Sequence, residues 1–343
     1  PSSSSSSPPP VPPPLPTVAV VFYAHSPMSI VRTARAVTIA SAATLANYTR
    51  RYARRYEFWV LVDETDVPPN ALLAARQLLP PFVHVHTLTA ARFAEVLPEA
   101  VRMHAEWALP KGVMWAMMTP KLHVWLADRG VDYDAYQHYW TYEDDVSYYS
   151  PYGNTTVLDL FDTIDSNATN ADVDVYGFQM QFRGCRSEWV ASRRTPSFTG
   201  VLHRVMARLG VSADVFDRRF SGRCFGDALR RFSPAALRND LRYLRNYTYT
   251  FGERAAYYIA VDANLTTRFH DEWDDDVNAI ITKKAASGGV THAVQVLQRD
   301  ERGALRCREA LAEYCRMWKV SPAAQHWLVH ADDGVAADGS VPP

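Results

Sequence analysis

Apolar residues near the start of the chain alternate between patterns typical of strands and patterns typical of helices. The run "TVAVVFYAH" (residues 17–25) is continuously apolar, which predicts a strand buried on both faces. Apolar residues then recur at spacings of three and four over residues 30–52, which indicates one buried face of a helix. The pattern repeats with a strand at residues 56–66, a helix at residues 69–79, and an alternating strand, "FVHVHTLT", at residues 82–89.

The same alternation continues into the middle of the chain. The segment "MWAMMTPKLHVWLADRG" (residues 114–130) predicts a helix that Gly130 ends. It leads into "YQHYWTYEDDVSYYSP" (residues 136–151), which predicts a fourth strand. Strands and helices in alternation favour an α/β fold, with a mainly parallel central sheet that helices cover on both faces.

Composition divides the chain into four parts. Residues 1–16 hold eight prolines and six serines, which predicts an extended, disordered linker without a core. Residues 17–285 carry the strand and helix pattern and are expected to form the main folded domain. A glycine break precedes residues 286–332, in which "ALRCREALAEYCRMW" predicts a helical extension, and residues 333–343 are expected to be a disordered tail.

Charge and hydropathy exclude some partners. The chain has 36 Lys and Arg against 37 Asp and Glu, so nothing indicates binding to nucleic acid or to an anionic membrane surface. It contains no apolar run of about eighteen residues, the length that predicts a membrane span. Because the chain opens on Pro1 and not on Met, a membrane anchor or signal could have preceded the linker.

Asparagine usage indicates the compartment. Five of nine asparagines begin an Asn-x-Ser/Thr sequon, namely Asn47, Asn154, Asn167, Asn246 and Asn264. This excess favours the secretory pathway, in the Golgi or endoplasmic reticulum lumen. The four cysteines are compatible either with two disulfides or with four free buried thiols.

Acidic residues follow two of the predicted strands. Asp63 and Glu64 fall at the end of the second strand. Glu143, Asp144 and Asp145 fall at an end of the fourth, between two runs of aromatic residues. Buried carboxylates need positive partners because desolvation of each ion costs several kcal/mol. Ligands of open α/β sheets bind beyond the carboxyl ends of the strands, and a hard cation such as Mg²⁺ or Mn²⁺ takes one or two carboxylates there. The acids therefore predict a metal and diphosphate site at one edge of the sheet.

These features resemble a known family. The strand-helix-strand start, the helix with Lys121 and the segment "YDAYQHYWTYEDDV" look like the nucleotide-diphospho-sugar glycosyltransferases of the Rossmann-like GT-A fold. The Asp-x-Asp motif of that family would be Glu143, Asp144 and Asp145 here, with Glu in place of the usual first Asp. The resemblance covers roughly residues 17–270.

The resemblance also implies ligand-binding roles for particular residues. Metal ligands would be Glu143, Asp145 and His270. Residues that hold the nucleotide would lie at strand ends and in the lysine-bearing helix, namely Ala24, His25, Ser26, Asp63, Lys121 and Asp144.

The implied chemistry is transfer of a sugar from a nucleotide-diphosphate donor to a hydroxyl group of a glycan or glycoprotein. The enzyme would be a hexosyl- or pentosyltransferase that depends on Mn²⁺ or Mg²⁺. In an inverting reaction a carboxylate removes the proton of the acceptor, and Glu253 or Asp271 would be that base. A retaining reaction needs no such base.

Two other functions are possible for a protein with this fold. A metal-dependent hydrolase of phosphate or glycosyl esters would need a second acidic cluster, for which "HDEWDDD" at residues 270–276 is the candidate. A catalytically inactive carbohydrate-binding protein would keep the fold and lose the metal acids. The His84 and His86 pair shares one face of a strand, and without a third ligand nearby in sequence it is interpreted as two strand histidines and not as a zinc site.

Overall fold

The structure is a computed structural model. It describes residues 18–24, 55–64, 72–73, 76–77, 79–107, 113–143, 146–149, 157–179, 196–215, 225–249, 255–269, 289–292, 297–299 and 305–307.

Seven strands of the described residues form one mixed sheet. The described residues contain eleven strands in all, which in chain order are β1 (Val18–Ala24), β2 (Tyr56–Asp63), β3 (Val83–Leu88), β4 (His138–Glu143), β5 (Val146–Tyr149), β6 (Val175–Gln179), β7 (Phe225–Phe232), β8 (Thr267–Phe269), β9 (Gly289–His292), β10 (Leu297–Arg299) and β11 (Leu305–Cys307). The order across the main sheet is β3-β2-β1-β4-β7-β6-β8. Only β7 runs against its neighbours in this sheet, which confirms a mainly parallel α/β architecture.

Helices lie between the strands along the chain. Those with described bounds are α1 (Ala90–Val96), α2 (Pro98–Trp107), α3 (Val113–Ala116), α4 (Pro120–Arg129), α5 (Val157–Ser166), α6 (Pro196–Leu209), α7 (Pro234–Arg245) and α8 (Ala255–Asp262). None of these helices is long and apolar enough to cross a membrane.

Strand β1 shows why the sheet is covered on both faces. All seven of its residues are buried. Ala19, Val21 and Tyr23 belong to one apolar cluster, with α4, α7 and α8, while the alternate residues belong to a second cluster with α5. Because successive side chains of a strand point to opposite faces, a continuous apolar run requires apolar partners on both sides.

The helix predicted for residues 114–130 is divided in two. Helix α3 ends at Ala116 and α4 begins at Pro120. Proline favours the first turn of a helix, where no intrahelical partner exists for a backbone N–H group, and it opposes continuation from the preceding residues. The predicted stop is confirmed, since Gly130 caps α4 in the left-handed conformation (φ 63°) and donates its N–H to Ala127 and Leu126.

Two further segments differ from the sequence-based expectation. The fourth strand was expected to span residues 136–151, but β4 ends at Glu143 and β5 is a separate strand that pairs with β9. In the extension expected to be helical, the described residues form β9, β10 and β11, and Cys307 is in a strand paired with β10. Cross-strand pairing outweighs the helical spacing of the side chains there. The helix predicted at residues 30–52, the linker and the tail lie outside the described residues.

Candidate active site

Strand β1 lies at the point where the order of the strands reverses. The chain passes from β1 to β2 and β3 on one side, and then returns to place β4 on the other side of β1. Tyr23 is opposite Glu143 in the parallel pair of β1 and β4, and Ala24 is opposite Val62 in the pair of β1 and β2. Such a reversal opens a crevice beyond the carboxyl ends of the strands, where α/β proteins bind ligands.

The acids at this edge share one face of the sheet. Tyr23 and Leu61 are paired and belong to the apolar cluster on the α4 side. Alternation along each strand places Asp63, two residues after Leu61, and Glu143, opposite Tyr23, on that same face. Asp63 is buried and Glu143 is half-buried. Strands β2 and β4 flank β1 and are therefore about 10 Å apart, and Asp63 also lies two residues, or about 7 Å, further along its strand than Glu143.

Lys121 supplies a positive charge on the same face. It lies in the first turn of α4 and is only 2% exposed. Its Nζ is 5.5 Å from the centre of the Tyr23 ring and 3.6 Å from Met118 Sδ. A cation near the face of an aromatic ring is attracted by its quadrupole, and this attraction is greater when both groups are desolvated.

The buried Tyr23 side chain interacts electrostatically with the strand-end acid Glu143 and with the charged residues Arg230 and Asp240. Its hydroxyl is buried and makes no hydrogen bond within the part of the chain that the structure describes. Burial raises the pKa of Tyr23 well above its usual value; the charge of Arg230 opposes that rise, and Glu143 adds to it. Tyr23 therefore stays protonated and keeps its hydroxyl as a hydrogen-bond donor.

Under this edge lies a buried polar cluster between α4 and α7. His123 Nε2 is 2.9 Å from Asp240 Oδ2, and His123 Nδ1 is 2.9 Å from the Tyr133 hydroxyl. Burial, followed by the charge of Asp240, raises the pKa of Tyr249 well above its usual value. The sequence did not indicate Arg230, His123 or Asp240, since a charged residue in an amphipathic helix or near a strand end is more often exposed.

The remaining predicted site residues lie outside the described residues. They are His25, Ser26, Asp144, Asp145, Glu253, His270 and Asp271. Helix α8 begins two residues after Glu253. His270 follows β8, whose carboxyl end is at the same edge as that of β4, with β7 and β6 between them.

Metal ligands are only partly covered by the described residues. Among them, no three His, Cys, Asp or Glu residues lie close enough to hold a metal ion. Glu143 is the one predicted metal ligand whose position is described. Mg²⁺ and Mn²⁺ prefer oxygen ligands, and Mg²⁺ usually takes only one or two carboxylates from a protein. Glu143, a half-buried carboxylate at the end of a central strand, fits this preference.

The two histidines of β3 have structural partners. The His84 ring stacks on Trp59, with ring centres 4.6 Å apart. His86 Nε2 is 3.0 Å from Asp128 Oδ2, and Arg92 binds the same carboxylate. These contacts agree with the interpretation of both residues as strand histidines.

No protein-family model and no curated protein matches the chain. Among solved structures it is similar to the mannosyltransferase Ktr4p from S. cerevisiae, at 10% sequence identity over 81% of this chain and 70% of that one, with a TM-score of 0.46. It is also similar to core-mannan synthase A (CmsA/Ktr4) from Aspergillus fumigatus in its Mn/GDP form, at 10% identity over 89% and 84% of the two chains, with a TM-score of 0.44. Mouse xyloside xylosyltransferase 1 is similar at 11% identity over 75% and 86%, with a TM-score of 0.43.

Proposed function

We propose that the protein is a glycosyltransferase that moves a sugar from a nucleotide-diphosphate donor to a hydroxyl group of a glycan or glycoprotein. The observation that carries the proposal is the position of Glu143. It ends β4, the central strand of the sheet, next to β1 at the reversal of strand order, on the face that also holds Lys121 and Asp63. A crevice at this place, with acids at two strand ends, suits a ligand as long as a nucleoside diphosphate.

Asp63 and Glu143 lie at the ends of the two strands that flank β1, so the two acids could face the two ends of one donor. Asp63, with the strand end at Ala24, His25 and Ser26, would hold the nucleoside. The diphosphate would lie toward Glu143 and Asp144, and Lys121 lies behind this end and adds positive potential. Ala24 is fully buried, so it offers the backbone and not a side chain.

A divalent cation, Mn²⁺ or Mg²⁺, would be held by Glu143, Asp145 and His270. When bound, it would stabilise the negative charge that develops on the departing diphosphate. Strands β7 and β6 separate β8 from β4, and His270 is the residue after Phe269, so its side chain would have to reach toward Glu143 across the ends of those two strands.

The acceptor hydroxyl needs a group that receives its proton if the reaction inverts the sugar. Glu253 and Asp271 are the two carboxylates proposed for this step, and the base must come within about 3 Å of the acceptor oxygen. Helix α8 fixes the residues that follow Glu253, since seven of its eight residues are buried. Replacement of the correct base by its amide would lower kcat more than it changes donor binding.

The test is a thermal unfolding assay with a panel of nucleoside diphosphates, each with and without Mn²⁺. A ligand that binds the folded state raises the unfolding midpoint by mass action. We expect one nucleotide to raise the midpoint only with Mn²⁺, and we expect Glu143→Gln and Asp145→Asn to abolish this rise. The matched control is Glu95→Gln, an exposed carboxylate on α1 whose partner is Arg92.

Each other outcome contradicts the proposal in a distinct way. A response to Mn²⁺ without a response to any nucleotide would favour the hydrolase. No response to either ligand would favour an inactive binding protein. Where a nucleotide binds, the matching nucleotide sugars are assayed for release of the nucleoside diphosphate, which identifies a hexosyl or a pentosyl donor.

A further inference from the structure

Three of the five sequons lie in described residues, and they occupy equivalent positions. Asn167 directly follows the last residue of α5, Asn246 directly follows α7, and Asn264 lies two residues beyond α8. All three asparagines are exposed. Each sequon therefore lies in the turn through which the chain leaves a helix, at the surface of the fold.

The other asparagines of the described residues differ in exposure. Asn170 and Asn239 do not begin a sequon. Asn170 is buried, donates its Nδ2 to Ile164 O at 2.9 Å and accepts from Arg268, whereas Asn239 is half-buried. Among the described asparagines, the three that begin a sequon are exposed and the two that do not are buried or half-buried.

Two of the three sequons contain a residue in the left-handed conformation. The only non-glycine residues with positive φ in the described part of the chain are Tyr247 (57°) and Asn264 (60°), and each belongs to a sequon. The left-handed conformation ends a helix and redirects the chain, and asparagine tolerates it better than most residues. At Asn167, Oδ1 accepts from the N–H of Thr169 at 3.0 Å and from its hydroxyl at 2.9 Å.

The nitrogen to which a glycan is attached is available at all three positions. Nδ2 of Asn167, Asn246 and Asn264 donates no hydrogen bond to any other described residue, so a substituent there displaces no contact of the fold. A glycan is bulky and hydrophilic and is tolerated only where the side chain projects from the surface.

We propose that Asn167, Asn246 and Asn264 carry N-linked oligosaccharides. In the transfer, Nδ2 forms a bond to C1 of the sugar as the C1–O bond to the diphosphate of a lipid-linked oligosaccharide breaks. The amide loses one proton, and the lipid diphosphate leaves with the bonding electrons. The proposal rests on entry of the chain into the secretory pathway and is independent of the proposed glycosyltransferase activity.

Two of these sites lie at the same edge of the sheet, away from the candidate active site. The sequon of Asn264 contacts the start of β6, since the Thr266 backbone N–H and hydroxyl both donate to Asp174 at 2.9 Å. Arg268 of β8 donates to Thr169 Oγ1 of the Asn167 sequon at 2.8 Å. Strand β6 runs parallel to β4, so its start is at the opposite edge from Glu143. Glycans at Asn167 and Asn264 would leave the nucleotide crevice open.

The experiment is expression of the full chain behind a secretion signal in eukaryotic cells, with mass spectrometry before and after peptide-N-glycosidase treatment. We expect the enzyme to lower the mass and to convert Asn167, Asn246 and Asn264 to aspartate in the mapped peptides. Each single Asn→Gln variant should lose one glycan. The matched control Asn239→Gln should leave the glycan mass unchanged, since it replaces an asparagine outside a sequon.

Variants at Thr169 separate loss of the glycan from loss of folding. Thr169→Ser keeps the sequon and should keep the glycan at Asn167, whereas Thr169→Ala should remove it. Because the oligosaccharide is added as the chain enters the lumen, the fraction retained in the cell is analysed together with the secreted fraction. Unmodified asparagine at these three positions in both fractions would overturn the proposal.

Discussion

A single carboxylate, Asp165, connects helix α5 to three strands of the sheet, β2, β4 and β7. It accepts hydrogen bonds from the Tyr56 hydroxyl and from Trp140 Nε1, each at 3.0 Å, and from Arg231 Nη1 at 2.6 Å. The side chains of Arg231 and Asp165 are 0% and 1% exposed. A buried ion pair is stable only when each charge keeps its partner and its hydrogen bonds.

Replacement of Asp165 by alanine is expected to destabilise the protein strongly. The change leaves Arg231 charged and unpaired inside the fold, a situation that costs about 3–5 kcal/mol. Urea unfolding at neutral pH measures the free energy of unfolding. Glu95→Ala serves as the control, because its partner Arg92 lies at the surface and such a pair contributes little. Equal stability of the two variants would contradict the role given to Asp165.

At the scale of single elements, two glycines are expected to respond in opposite directions to the same substitution. Gly130 ends α4 with a φ of 63°, and an added Cβ would meet no atom within 4 Å. Gly200 lies inside α6, where an added Cβ would lie 3.5 Å from Arg204 Nη1, an ordinary contact distance.

Gly130→Ala should therefore destabilise the protein by roughly 1 kcal/mol, because a side chain disfavours the left-handed conformation. Gly200→Ala should stabilise it by about 0.5–1 kcal/mol, because alanine is the better helix former. Urea midpoints of the two variants measure both effects. The same sign of change at both positions would show that backbone conformation does not decide the result.

The sequence predicted elements where a single physical pattern dominates. The apolar run of β1 and the glycine that ends α4 required only local information. The interruption before Pro120 was missed because apolar spacing continues across it. The strand at Cys307 was missed because the helical spacing of the residues that follow it outweighed its short-range pairing with β10.

Local patterns in the sequence predicted some residues of the candidate site and missed others. Strand ends place acids at one edge, so the described positions of Asp63 and Glu143 follow from chain order. The buried cation Arg230 and the buried acid Asp240 come from later parts of the chain, and no pattern in the sequence brings them to Tyr23.

At the scale of the whole molecule, a half-buried neutral histidine makes stability depend on pH. Burial, with the charge of Arg231 adding to it, lowers the pKa of His138 to about 4. The unfolded chain binds a proton at His138 below pH about 6.5, whereas the folded protein does not until pH about 4. His138 therefore favours unfolding as the pH falls through this range, by up to roughly 3 kcal/mol in total.

Urea unfolding of the wild type and of His138→Gln between pH 7.5 and 4.5 tests this dependence. We expect the wild type to lose more stability than the variant as the pH falls, with no difference in slope above pH 7. The comparison removes the contribution of carboxylates, which titrate in both proteins. Parallel curves for the two proteins would contradict it.

The position of β7 determines the order in which the sheet can be completed. Strand β6 is synthesised before β7, yet β7 lies between β4 and β6 in the finished sheet. During synthesis the aromatic edge of β4, "HYWTYE", consequently stays unpaired until more than eighty further residues have emerged and residues 225–232 are available. An unpaired apolar edge is a template for association with other chains. A nascent chain that pauses before residue 225 would thus depend on chaperones to cover β4, and fragments that end before that point would aggregate through this strand.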